Sequence, residues 1–143
     1  MAESAVRLTP QEAIIYLMVM TSASDGKISE DELRTIGRVV RSFPVFSDSD
    51  ERALVQTAEA CGKLMSSDGG MHKVLAAAEL ALPSHLGETA YAAVVDVVTA
   101  DEALDIAEIR VLELIRSTLK VPDDGAQAIE RAAGARHMTV EPV

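Results

Sequence analysis

The chain has 143 residues, of which 48% are hydrophobic, and carries a formal charge of −10. This is the length of one domain that buries about two-thirds of its unfolded surface, and an acidic field of this size repels phosphate backbones and excludes nucleic acid as an expected partner. With no Trp, two Phe and two Tyr, the core must be filled by Ala, Leu, Val, Ile and Met, and a single cysteine, Cys61, with no Cys/His cluster beside it, excludes an intramolecular disulfide and a zinc site.

The first element starts at Thr9-Pro10-Gln11-Glu12, where a Thr cap, a Pro in the first turn and a Glu three residues on make a capping box. Residues 13–20 are all apolar or Tyr. A helix apolar on every side is surrounded by others, so the helix over 10–23 is expected at the centre. Asp25-Gly26 breaks it. Ser29 with Glu32 is a second capping box and opens a helix to Ser42, with Leu33, Ile36 and Val40 inward and Arg34, Arg38 and Arg41 outward. Pro44 disfavours helical geometry at Phe43 and closes it.

Ser47-Asp48-Ser49-Asp50 caps a third helix over 49–66, in which Cys61 falls on the apolar stripe as a core residue. Ser67-Asp68-Gly69-Gly70 is a break. The fourth helix, 71–82, stops at Pro83, and the fifth, 84–99, repeats Tyr91, Val94, Val95 and Val98 at helical spacing. Asp96 lies off that stripe and is expected to be partly exposed. Asp105 and Glu108 repeat the capping spacing ahead of a sixth helix to Thr118, with Ile109, Leu112, Ile115 and Leu119 inward. Pro122-Asp123-Asp124 begins a short seventh helix to Ala133, which Gly134 ends. No segment alternates with period two, and the connections are short. The expectation is an all-α bundle of seven helices in one domain over 1–143, with an N-terminal extension at 1–8 and a frayed tail at 135–143.

The amino terminus lacks a basic-then-apolar leader pattern, and no uncharged apolar run reaches the ~18–20 residues that span a bilayer. A cytoplasmic protein with no membrane span is the expectation, which is compatible with peripheral association with a membrane. His72, His85 and His137 are isolated in sequence and are expected at the surface.

One pattern recurs. Asp-x-x-[Ile/Leu]-x-x-x-Glu-[Leu/Ile]-Arg runs from Asp25 to Arg34 and again from Asp101 to Arg110. Each copy follows an apolar helix and opens an amphipathic one, which suggests two related halves about a pseudo-two-fold axis. The first copy has the back half of an EF-hand loop. However, the ligand positions ahead of Asp25 are Ala23 and Thr21, and Ala offers no oxygen. In the second copy those positions are Thr99 and Val97, and Glu102 stands where a tight turn wants Gly, so an EF-hand is not expected.

Two readings of the pattern stay open. In one, Ser29/Glu32 and Asp105/Glu108 are helix caps and nothing more, each worth about 1 kcal/mol. In the other, the two turns are adjacent, and Asp25, Glu32, Asp101, Asp105 and Glu108 form an oxygen-rich cluster. Such a cluster repels itself unless a divalent cation or a basic partner neutralises it, and its hard ligands favour calcium, magnesium or manganese.

These residues, Ala-x-Asp-Gly-x-Ile-x-x-x-Glu from Ala23 to Glu32 and the weaker copy from Ala100 to Arg110, resemble the TerB-like tellurite-resistance family. The resemblance covers residues 10–122. It implies a helical bundle without catalytic activity, acting in tellurite resistance and stress response. It also implies acidic motifs that form a metal-binding or interaction surface, with Asp25, Glu32, Asp101 and Glu108 as the candidate cation contacts. The family's Asp-Gly is Asp101-Glu102 here, which puts the second half-site in question.

Two rival functions are compatible with the same residues. A two-carboxylate or two-metal enzyme needs an enclosed apolar site, whereas these acids lie in turns beside Ser and Lys. A structural interaction module, a homo-oligomer with the acidic motifs serving only as caps, would join through Phe43, Val45 and Phe46. The stripe Arg34, Arg38 and Arg41 is either a solvated face balancing Glu30 and Asp31 or a surface for an acidic partner.

Overall fold

The structure is a computed structural model that describes residues 7–23, 27–48, 50–100 and 106–141. Among these residues the chain forms seven α-helices and no strand: α1 (Pro10–Ser22), α2 (Glu30–Ser42), α3 (Glu51–Met65), α4 (Gly70–Ala81), α5 (Gly87–Ala100), α6 (Ile106–Thr118) and α7 (Asp123–Arg136). Short 3₁₀ turns at Pro44–Phe46 and Ser84–Leu86 precede α3 and α5. The all-α reading and the helix order expected from the sequence hold.

Central placement of α1 follows from its composition. Ile14, Leu17, Met18, Val19 and Met20 are wholly buried, and α1 packs against α2, α3, α4, α5 and α6. Its start is the expected capping box: Thr9 Oγ1 accepts from Glu12 N at 3.1 Å, and Glu12 Oε1 accepts from Thr9 N at 2.9 Å. α5 forms the second buried layer through Ala90, Tyr91, Ala93, Val94, Val95, Val97 and Val98. With small aliphatic side chains at these contacts, helix backbones approach closely. No helix among the described residues is long and apolar enough to cross a membrane.

Gly69 and Gly70 are required by the backbone at the α3–α4 corner. Gly69 takes a left-handed φ of 66°, which glycine adopts without a Cβ penalty. A Cβ on Gly70 would run into the carbonyl oxygens of Leu64 and Met65.

The structure differs from the sequence reading at four places. Asp96 is buried, with 7% of its surface exposed. Its carboxylate accepts from Arg136 Nη2 at 2.5 Å, and His137 Nε2 lies 3.5 Å away. The expectation of partial exposure fails because a partner 40 residues along the chain supplies the compensation. By the same contacts, the expected frayed tail begins later. α7 runs through Gly134 to Arg136 because Asp96 anchors its last turn, and His137, exposed as expected, lies beside that carboxylate.

In α6 the buried positions are Val111 and Ile115, while Ile109 is 41% exposed. The inward line of that helix runs one position away from the expected one at its start. Phe46, proposed above as part of an exposed joining loop, is 3% exposed, and Phe43 and Val45 pack partly buried against the core. The 3₁₀ turn rolls these side chains inward, which removes the anchor of a homo-oligomer built on that loop.

Candidate functional site

The last turns of α1 and α5 and the first turns of α2 and α6 meet at one cleft of about 390 Å³. Each pair is an apolar helix followed by an amphipathic one, so the two acidic signatures end on the same feature. Glu32, the final Glu of the first signature, and Glu108, the final Glu of the second, both line it, together with Asp31. Val97, Val98, Ala100, Ala107 and Val111 form its apolar side, and Thr21, Ser22 and Thr35 its hydroxyl side.

Local structure fixes these groups in turn. Ser29 caps α2: its hydroxyl accepts from Glu32 N at 3.1 Å, and Glu32 Oε1 accepts from Ser29 N at 2.9 Å. This box places the Glu32 carboxylate beside the cleft. Asp31, next to it, pairs with Arg34 at 3.0 Å in an exposed ion pair. Exposed pairs of this kind contribute about 0.2–1 kcal/mol and exchange readily with water or another ligand. Thr21 Oγ1 donates to Leu17 O at 2.8 Å, Ser22 Oγ to Met18 O at 3.0 Å and Thr35 Oγ1 to Asp31 O at 3.0 Å. With their protons committed to helix carbonyls, these hydroxyls present oxygen lone pairs.

The electrostatics follow from helix ends. The C-terminal ends of α1 and α5 bring partial negative charge to the cleft. The carboxylates Asp31, Glu32 and Glu108 add full charges there, each stabilised by the positive N-terminal end of its own helix. A low-lying apolar wall of buried valines reduces solvent screening on one side. The arrangement attracts cations and repels anions.

Of the five acidic residues expected to contact a cation, Glu32 and Glu108 come together in the cleft. Asp25, Asp101 and Asp105 lie outside the described residues. Among the described residues no three His, Cys, Asp or Glu side chains are grouped closely enough to hold a metal ion. The donor chemistry, carboxylates and hydroxyls with no nitrogen or sulfur, fits a hard divalent cation. Sequence reasoning missed Asp31 and Thr35, although Asp31 precedes Glu32 and Thr35 follows one turn later on the same face.

Two other reactive groups are set aside from the cleft. Cys61 is fully buried, donates weakly to Tyr16 O at 3.5 Å, and burial pushes its thiol up to about 12. It is an inert core residue. Tyr91 donates to Glu130 Oε2 at 2.6 Å, and burial followed by this bond raises its phenol well above the ordinary value.

No curated protein and no solved structure matches the chain significantly. The family model described as tellurite resistance protein TerB matches residues 11–132, which takes in both signatures, the cleft and most of α7. With the helix order, the cleft and this match in agreement, the chain belongs to the TerB family of tellurite-resistance proteins.

Proposed function

We propose that this protein catalyses no reaction and works in tellurite resistance and stress response as a binding protein, taking a divalent cation, calcium, magnesium or manganese, at the cleft between the first turns of α2 and α6. One observation carries the reading: Glu32 and Glu108, the matching final glutamates of the two acidic signatures, line the same cleft. The matching surroundings of the two signatures favour a duplicated scaffold whose halves each contribute to one site. Glu32 and Glu108 would hold the ion with oxygens from Asp25, Asp101 and Asp105. The bound ion offsets the repulsion among these carboxylates and fixes one arrangement of the two turns. A partner protein then recognises that arrangement; a basic partner side chain can replace the ion by the same charge logic.

The open shape of the cleft supports a binding role over a catalytic one. Asp31 keeps 90% of its side-chain surface in water, and acid–base catalysis by a carboxylate relies on a desolvated setting that shifts its pKa.

Calorimetric titration with calcium, magnesium and manganese checks the reading. Wild-type protein should release or absorb heat with at least one of the three. Glu32→Gln combined with Glu108→Gln should weaken that binding at least about tenfold, the equivalent of roughly 1.4 kcal/mol. Heat that is absent for all three ions, or unchanged in the double variant, rejects the cation site.

A further inference from the structure

α6 covers little of itself. Among the described residues it exposes three large aliphatic side chains, Ile106 at 72%, Ile109 at 41% and Leu114 at 44%, while α3 and α4 expose one each and the other helices none. Its fully buried side chains are Val111 and Ile115. Aliphatic residues exposed singly are ordinary, whereas several on one helix mark a contact face. Ile106, Ile109, Arg110, Glu113, Leu114 and Ser117 are all exposed and follow one another at i, i+3, i+4, i+7, i+8 and i+11. That spacing sets them on a single side of the helix, away from Val111 and Ile115.

Charge separates this face from the rest of the surface. Residues 106–117 contain Glu108, Arg110, Glu113 and Arg116 and are neutral, in a chain whose formal charge is −10. Arg116 pairs with Asp123 of α7. Arg110 and Glu113, at the middle of the exposed face, form no ion pair among the described residues. Two copies of so acidic a chain repel each other wherever their carboxylate-rich surfaces meet. A neutral, aliphatic face is where they approach with the least repulsion.

The face is also its own complement. Its six positions are symmetric about the bond between Val111 and Leu112. Turned end for end, Ile106 falls level with Ser117, Ile109 with Leu114 and Arg110 with Glu113. Aliphatic meets aliphatic and cation meets anion, as the two-fold contact of identical chains requires.

We propose that α6 forms the contact of a two-fold dimer of this chain, two copies packing it antiparallel with Arg110 of each on Glu113 of the other. Ile106, Ile109 and Leu114 supply the apolar area and exclude water from the two ion pairs. The same charges set the register. A slip of three residues in either direction places Arg110 against its own copy or Glu113 against its own, and both arrangements repel. The acidic cleft uses a different side of α6, through Ala107, Glu108 and Val111, so the dimer stands independently of cation binding.

The test is sedimentation of the full chain over a dilution series at moderate ionic strength. Wild-type protein should pass from monomer to dimer as concentration rises. Arg110→Glu alone sets Glu against Glu twice, and Glu113→Arg alone sets Arg against Arg twice, so each should weaken the dimer roughly tenfold or more. Mixing the two variants should restore association, because every contact between unlike chains is then a cation on an anion. Circular dichroism checks that each variant keeps the bundle. If either reversal fails to fold, Ile106→Asp, at the most exposed aliphatic position of the face, decides alone and should give a monomer. A wild-type chain that stays monomeric throughout overturns the proposal. So does a dimer indifferent to these substitutions, or a mixture of the two reversals that remains monomeric.

Discussion

Glu32 serves both the fold and the cleft. Oε1 accepts the Ser29 amide proton in the capping box. Glutamine completes a capping box as glutamate does, so Glu32→Gln removes charge from the cleft while leaving the start of α2 formed. The Glu32 half of the double variant used for calorimetry therefore reports on the site, and circular dichroism of the double variant checks that the fold is kept. Cys61 gives a second residue-scale prediction. Its thiol titrates near 9.0 when unfolded and about 12 when buried, so the folded state keeps a proton that the unfolded state loses. Stability from this group is complete below pH 9 and falls as pH rises from there towards 12, by up to about 1.4 kcal/mol per pH unit. Denaturant titrations on either side of pH 9 should show this fall, and Cys61→Ala should flatten it. Tyr16 and Tyr91, also raised by burial, act in the same direction from higher starting values, so a slope unchanged in Cys61→Ala would assign the effect to them.

At the scale of helices, much was legible because the signals are local. The boxes Thr9/Glu12 and Ser29/Glu32, the Asp50 cap of α3 and the stop at Pro83 each rest on residues a few positions apart. What escaped the sequence depends on partners distant along the chain. Asp96 interrupts a run of valines, and periodicity left it partly exposed; only the folded arrangement reveals Arg136 and His137 beside it. The same contact explains why Gly134 does not end α7. α5 and α7 run parallel, with Tyr91 bonded to Glu130 and Asp96 to Arg136, so their negative C-terminal ends lie side by side. Arg136 and His137 offset that negative charge. α7 buries only Ala126 and Ala133 fully, which makes this polar clamp a large share of what holds its last turn. Asp96→Ala should destabilise the protein by about 1–2 kcal/mol. Hydrogen exchange should quicken at Ala133–Arg136 while α1 stays protected. Exchange unchanged in α7 would show that Ala126, Ile129 and Ala133 suffice to dock it.

The molecule as a whole is organised by the burial of α1 and α5, which forces the helices that follow them to start at a common place. The sequence displayed the two acidic signatures and left open whether their turns face each other; tertiary packing answers for Glu32 and Glu108, which share the cleft, whereas Asp25, Asp101 and Asp105 fall outside the described residues. The most direct measurement is manganese-induced relaxation in backbone NMR spectra, which locates a bound ion without relying on heat. Substoichiometric manganese should broaden the amides of Thr21, Glu32, Thr35, Val98 and Val111 first and leave those of α7 sharp, and Glu32→Gln with Glu108→Gln should erase that pattern. Broadening spread over the acidic surface, or centred away from the cleft, would contradict the account.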